Sequence, residues 1–221
     1  MERKVSLEKL GAAIKRFLEQ QDQYNMTYGL FKNHDIRLRE APFEPEVDKR
    51  IPLSAELEYF YSRYEIRDAS AEGTLKLKNA AVEIGDAAVL FFASPEHLHR
   101  QQLGFRWIGQ NEPYRESDTW QHQHVVIANF NDDPLIVDTS LPGSPVYAGV
   151  AGAKPECVAA SLADFFIALA ILIEGAHTLG GEVKDEETFE TKEAYLELVK
   201  PPLRELLGKE STAYLIDYLS L

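Results

Sequence analysis

His124-Val125-Val126-Ile127-Ala128-Asn129-Phe130-Asn131-Asp132-Asp133-Pro134-Leu135-Ile136-Val137-Asp138 is the stretch on which the fold turns. Two runs rich in Val, Ile, Leu and Phe, each of strand length, flank a cluster of turn-forming residues. The spacing predicts one strand over 124–130, a second over 134–139, and a tight antiparallel connection through Asn131-Asp132-Asp133. Working upstream, Val82-Glu83-Ile84 alternates, Ala87 to Ala93 is another apolar run of strand length, and Phe105-Arg106-Trp107-Ile108 resumes as strand. Between the last two, Pro95 to Gln102 reads as a short helix with Ser94 as its cap and Gly104 as its stop. Downstream, Val146 to Val150 reads as a short strand.

Helical periodicity frames this block. Leu7, Leu10, Ile14, Phe17 and Leu18 follow Ser6, which has the chemistry of an N-cap. The connection Asn33 to Arg50 reads as irregular. Ile51-Pro52-Leu53-Ser54 opens a second helix with Leu57, Phe60, Tyr61 and Tyr64 on one face. Gly73 and Asn79 bracket a short loop or edge strand. Val158, Leu162, Phe165, Phe166, Leu169 and Ile173 predict a helix apolar nearly all round, hence buried, with Asp164 as a partly exposed or capped polar residue. Gly180-Gly181 separates it from amphipathic helices, which Pro201-Pro202 is expected to break. Helix, sequential strands, then helix is an α+β order: a twisted, largely antiparallel sheet packed with helices, carrying N-terminal and C-terminal helical extensions.

Composition narrows the function classes. The 221 residues carry 23 Lys plus Arg against 36 Asp plus Glu, a net charge of −13. Broad phosphate binding needs basic side chains in quantity, so direct nucleic-acid binding is not expected. Residues 1–50 are nearly balanced at +1, residues 51–174 stand at −9 and residues 175–221 at −5. Between Arg115 and Lys154 there is no Lys or Arg, yet Glu116, Asp118, Asp132, Asp133 and Asp138 fall there. Such a face either keeps a protein soluble or attracts a basic partner. The single cysteine, Cys157, excludes an internal disulfide framework; placed just before the apolar helix, it is expected as a small buried hydrophobe. No secretory h-region or spanning segment stands out, so a soluble cytoplasmic protein is expected, with no membrane partner.

Chemical constellations are sparse. His97-Leu98-His99 and His122-Gln123-His124 are His-x-His pairs, and only the second falls where a strand would turn both rings to one face. No further ligands stand at a recognisable spacing, so no metal site is assigned. Asp132, Asp133 and Asp138 could serve acid–base work, but Asp before Pro is ordinary turn chemistry. Ser140, Ser144 and Ser161 lack a nucleophile elbow, and no Gly-rich phosphate loop exists. No catalytic residue and no cofactor are assigned. Trp107 is expected in the core, Trp120 on a contact surface.

The order of elements resembles the SUKH superfamily, the bacterial relatives of yeast cell-wall synthesis regulators. The resemblance is carried by Ile51-Pro52-Leu53 leading into Glu58-Tyr59-Phe60-Tyr61, by Phe91-Phe92-Ala93-Ser94-Pro95-Glu96-His97-Leu98, and by Gln102-Leu103-Gly104-Phe105. Trp120, Val125 to Asn129 and Asp133-Pro134-Leu135-Ile136-Val137-Asp138 look like the family's central hairpin. Pro145-Val146-Tyr147 and Ala159-Ala160-Ser161-Leu162-Ala163-Asp164-Phe165-Phe166 are similar to its closing strand and helix. Tyr64-Glu65-Ile66-Arg67-Asp68 stands where the family often has Asn-Gly, and Leu162 replaces a customary Phe. The match spans residues 51–174, leaving 1–50 and 175–221 as extensions packed with it.

What the resemblance implies is a non-catalytic protein-binding domain of the immunity type, which neutralises a cognate toxin such as a nuclease or deaminase. The acidic balance suits a basic toxin domain. The binding face is expected in the stretch from Glu116 to Lys154, with Trp120 as anchor, Asp132 and Asp133 on a hairpin tip beside it, and Glu116, Asp118 and Asp138 contributing. A scaffold or regulator of cell-wall or polysaccharide synthesis is the alternative, and a small metal-dependent enzyme using His122 and His124 a lesser one.

Overall fold

The computed structural model describes residues 2–32, 34–67, 79–150 and 153–221. In chain order the elements are α1 (Glu2–Thr27), β1 (Ile36–Leu38), α2 (Ala55–Arg63), β2 (Tyr64–Ile66), β3 (Asn79–Ile84) and β4 (Ala88–Ala93). A 3-10 turn over Pro95–His97 leads into α3 (Leu98–Gln101), then β5 (Trp107–Ile108), β6 (Arg115–Glu116), β7 (His124–Phe130) and β8 (Asp133–Asp138). β9 (Val146–Ala148), β10 (Glu156–Ala159), α4 (Leu162–Thr178), α5 (Glu193–Leu207) and α6 (Lys209–Tyr218) complete the chain. The architecture is α+β, built on one six-stranded sheet.

That sheet has the order β10-β9-β8-β7-β4-β3, and every neighbouring pair is antiparallel. It is a meander interrupted once, by the excursion from Ser94 to Gln123 between β4 and β7. The β7–β8 turn is tighter than the sequence suggested: Phe130 pairs with Asp133, leaving only Asn131 and Asp132 in the loop. Both have positive φ, 48° and 67°, as a two-residue hairpin of this twist requires and as Asn and Asp tolerate. A register shift between Val126 and Ala128 breaks the ladder. There the buried Gln102 carboxamide donates to the Val126 carbonyl (2.7 Å) and accepts from its N–H (3.0 Å), so α3's end acts as a surrogate strand.

Strand alternation divides the sheet into two faces. Ala80, Val82, Leu90, Phe92, Val125, Leu135, Val137 and Val146 point into the main apolar cluster together with α1, α2, α4, α5 and α6. Phe166 of α4 lies at its centre, with ring centroids 5.2 Å from both Phe17 and Phe60 and 6.2 Å from Phe92. The opposite face carries Glu83, Phe91, Asn129, Ile136, Tyr147 and Cys157 by register.

Several sequence expectations need correction. α1 begins before Ser6, so Ser6 is not its cap; instead its hydroxyl donates to Glu56 at 2.8 Å. The α2 cap is Ser54, which accepts from the Leu57 N–H, so Pro52 precedes the helix; Tyr64 has passed into β2. Val158 belongs to β10, and α4 starts only after Ser161, whose hydroxyl accepts from the Asp164 N–H. Asp164 is thus the half-buried, capped residue expected, held further by Lys9 at 2.8 Å. Cys157 lies half-buried on the same strand rather than before a helix, and burial pushes its thiol up. α5 runs through Pro201-Pro202, and the carbonyls that lose donors belong to Glu197 and Leu198, both exposed residues. The break comes at Gly208, whose φ of 83° suits glycine. Of the stretch 105–108, only Trp107 and Ile108 form strand. Asp68 and Gly73 lie outside the described residues.

Candidate partner-binding surface

The structure separates the six residues assigned to a partner into two groups at opposite ends of the β7–β8 hairpin. Asp132 and Asp133 are at the tip, Asp132 exposed and Asp133 half-buried, and the Asp133 carbonyl accepts from the Tyr218 hydroxyl at 2.9 Å. Trp120, Glu116, Asp118 and Asp138 belong to the other end, where Asp138 pairs with His124. Six residue steps along β7 at about 3.4 Å each put roughly 20 Å between the two ends. Trp120 therefore does not stand beside the tip, as the sequence had suggested.

At the Trp120 end the side chains are tightly used. The half-buried indole donates from Nε1 to the His124 carbonyl at 2.9 Å, leans on Phe105 at 5.7 Å and meets His124 edge-on at 6.1 Å. His124 is buried and stacked on Tyr147 at 5.5 Å, so it bridges β7 and β9 across the sheet. Burial pushes its pKa down, opposed by the Asp138 carboxylate 3.9 Å from Nε2. Asp138 is itself buried, its Oδ1 accepting from both the Ser140 N–H (2.9 Å) and the Ser140 hydroxyl (2.6 Å). It orders the strand end and offers no open carboxylate, a correction to its place on the contact face. Ser140 donates to Asp138 rather than to His124, an order that does not activate a serine.

Sequence reasoning missed Arg106. It is 1% exposed, yet its guanidinium donates from Nη1 to the His122 carbonyl (3.0 Å) and from Nη2 to the Arg50 carbonyl (2.6 Å). Nη2 is also 2.8 Å from His122 Nδ1 and 2.9 Å from the half-exposed carboxylate of Glu116. Arg106 and Arg50 lie against the buried Trp107 ring, with guanidinium carbons 4.9 and 4.6 Å from its centroid. The signal was present: a lone cation inside the apolar run Phe105-Arg106-Trp107-Ile108. Glu116 is thereby an ion-pair partner within the chain, and Asp118, which is exposed, lies 3.2 Å from Arg115.

The histidine pairs separate as well. His122 turns to Arg106 and Glu116 while His124 turns to Tyr147 and Asp138; His97 Nδ1 is 2.9 Å from the Ser94 hydroxyl. Among the described residues no three His, Cys, Asp or Glu side chains are grouped to hold a metal ion.

A pocket of about 390 Å³ lies elsewhere, between α1, the start of α2 and the start of α4, lined by Ser6, Lys9, Glu56 and Asp164. Its carboxylates are engaged internally. Glu56 accepts from Ser6 and Ser144, and Asp164 from Lys9 and Ser161. Among the described residues no helix is long and apolar enough to cross a membrane. Comparison with protein-family models, with curated proteins and with solved structures finds no match to this chain.

Proposed function

We propose that this chain is a non-catalytic protein-binding module, an immunity protein of the SUKH type that acts in the cytoplasm on a basic toxin domain. The observation that carries the reading is the block of β7, β8 and β9, formed wholly from the stretch without Lys or Arg. Its acids are placed at both ends of one hairpin, and Trp120 is half-buried at one of them. A standard interface buries about 800 Å² per partner, a patch roughly 30 Å across, which accommodates the ~20 Å between Trp120 and the Asp132 tip. Aromatic anchors dominate interface energy, and peripheral carboxylates speed encounter with a cationic partner.

The test uses a basic toxin domain of the nuclease or deaminase type as partner, with rates read by stopped flow. Trp120→Ala is expected to raise the dissociation rate, with a loss of about 2 kcal/mol if it is a hot spot. Asp132→Asn with Asp133→Asn is expected to slow association at low salt, the difference closing as salt rises. Because the two sites lie far apart, their effects should add. Trp120→Phe, which keeps an aromatic ring against Phe105, controls for loss of the fold. Unchanged association for the Asp pair at low salt, together with unchanged dissociation for Trp120→Ala in a folded protein, would retire this surface.

A further inference from the structure

The tail carries five basic side chains: Lys184, Lys192, Lys200, Arg204 and Lys209. Two are used within the fold. Lys184 donates to the Thr191 hydroxyl and the Ser220 carbonyl, and Lys192 pairs with Glu182 at 3.0 Å. All three of the others line one groove between α5 and α6, of about 440 Å³, together with Thr212, Ala213, Ile216, Asp217 and Leu221. None of the three has a carboxylate within 4.0 Å among the described residues.

In a chain of net charge −13, these three cations border one groove in which Asp217 is the one acidic side chain of the lining. The groove also reaches the first turn of α6, where Gly208 supplies no side-chain cap. Its wall of Ala213, Ile216 and Leu221 is apolar. A concavity of this size with an apolar wall and a few charged residues along its lining is the form of a small-ligand site.

We infer that the α5–α6 groove binds a compact multivalent oxyanion, a free phosphorylated small molecule, held by Lys200, Arg204 and Lys209. Arg204 offers a planar fork to two oxygens at once, and the two lysines supply point charges from either side. The site is independent of the proposed basic partner, because it selects the opposite charge and draws on different elements.

The experiment is isothermal titration of the full chain with inorganic pyrophosphate at low ionic strength. One site per chain is expected, with affinity falling steeply as salt is added. Arg204→Gln should weaken binding about tenfold, and the Lys200→Gln, Arg204→Gln, Lys209→Gln triple variant should abolish it. Lys15→Gln, on α1 outside the groove, should leave it unchanged. Thermal melts of the ligand-free variants show that the fold is intact. Equal pyrophosphate binding by the triple variant would overturn the assignment. So would an absence of pyrophosphate binding by the wild type, or capture by vesicles of anionic phospholipid without pyrophosphate binding, since the occupant would then not be a free small molecule.

Discussion

Arg106→Met removes a buried guanidinium while keeping an unbranched apolar stem of similar reach. The Arg50 and His122 carbonyls, 2.6 and 3.0 Å from its nitrogens, lose their donors, and Glu116 loses its partner. An acceptor left without its donor costs about 1–3 kcal/mol, towards the low end for these two carbonyls because both belong to exposed residues. The Glu116 carboxylate is 53% exposed and water can replace its partner, so that pair adds less than about 1 kcal/mol. Against this, the desolvation of a 1% exposed cation is no longer required. The net expectation is a loss of about 2–4 kcal/mol, which for a chain of this size lowers the melting temperature by roughly 4–16 °C. The assay is a thermal melt followed by circular dichroism, run beside Glu116→Gln and the double variant. Glu116→Gln alone should cost less than about 1 kcal/mol, and its effect should shrink further once Arg106 is gone. A single Arg106→Met variant melting within 2 °C of wild type, an assay-scale margin well below the roughly 4 °C lower bound, would refute the reasoning.

Two further predictions concern other parts of the fold. Gly85 has φ 58°, and an added Cβ would lie 2.4 Å from Val183 Cγ2 and 2.9 Å from the Gly181 carbonyl oxygen. Gly104, with φ 85° and nothing within 4 Å, shares only the conformational part of that cost. Gly104→Ala should therefore cost about 1–2 kcal/mol and Gly85→Ala clearly more; equal melting temperatures for the two would show that the tail does not press on the β3–β4 turn. Burial, opposed by the Phe31 and Leu30 N–H groups, pushes the Glu83 carboxyl above its ordinary value. The folded state thus binds that proton more tightly than the unfolded one, a contribution present below the unfolded pKa and lost as pH rises through the folded one. Glu83→Gln should stabilise the protein near pH 7, with the gain fading towards pH 4 in melts across that range; a gain that grows on acidification would reverse the assignment.

Much of the sheet was legible because its strands are apolar on both faces or alternate cleanly. His124 to Phe130, Ala88 to Ala93 and the presence of a tight turn between β7 and β8 follow from composition and period, while the inclusion of Asp133 in β8 comes from its pairing with Phe130. What escaped depends on long-range partners. Glu156 to Ala159 becomes strand because Tyr147 and Ala148 of β9 pair with it, whereas Val158 also fits the apolar period of the following helix. Ser6 resembles a cap, but its hydroxyl is claimed by Glu56, 50 residues away. For the candidate surface, residue types were readable and positions were not. Counting charges found the stretch without Lys or Arg, but only strand register shows that Trp120 and Asp132 mark opposite ends of it. Asp138 and Glu116 look like open carboxylates in sequence and prove to be engaged by Ser140 and Arg106.

The tail deserves to be read as part of the hairpin's support rather than as an appendage. The Asp86 carboxylate in the β3–β4 turn accepts from the Val183 and Lys184 N–H groups at 2.7 and 3.0 Å, fixing the chain just after α4. Inside α4, a Cβ at Gly175 would lie 2.5 Å from Val199 Cγ1, so α5 approaches as closely as glycine permits. At the far end Tyr218 packs edge-on against Phe130 at 5.9 Å and reaches the Asp133 carbonyl with its hydroxyl. The Tyr218 ring is buried, so that hydroxyl needs the carbonyl as its partner. The turn that carries the exposed Asp132 and the half-buried Asp133 is therefore clamped from behind by α6. Under the proposed function, a turn clamped in this way loses little conformational entropy on binding, which suits charges at the edge of an interface that act on encounter.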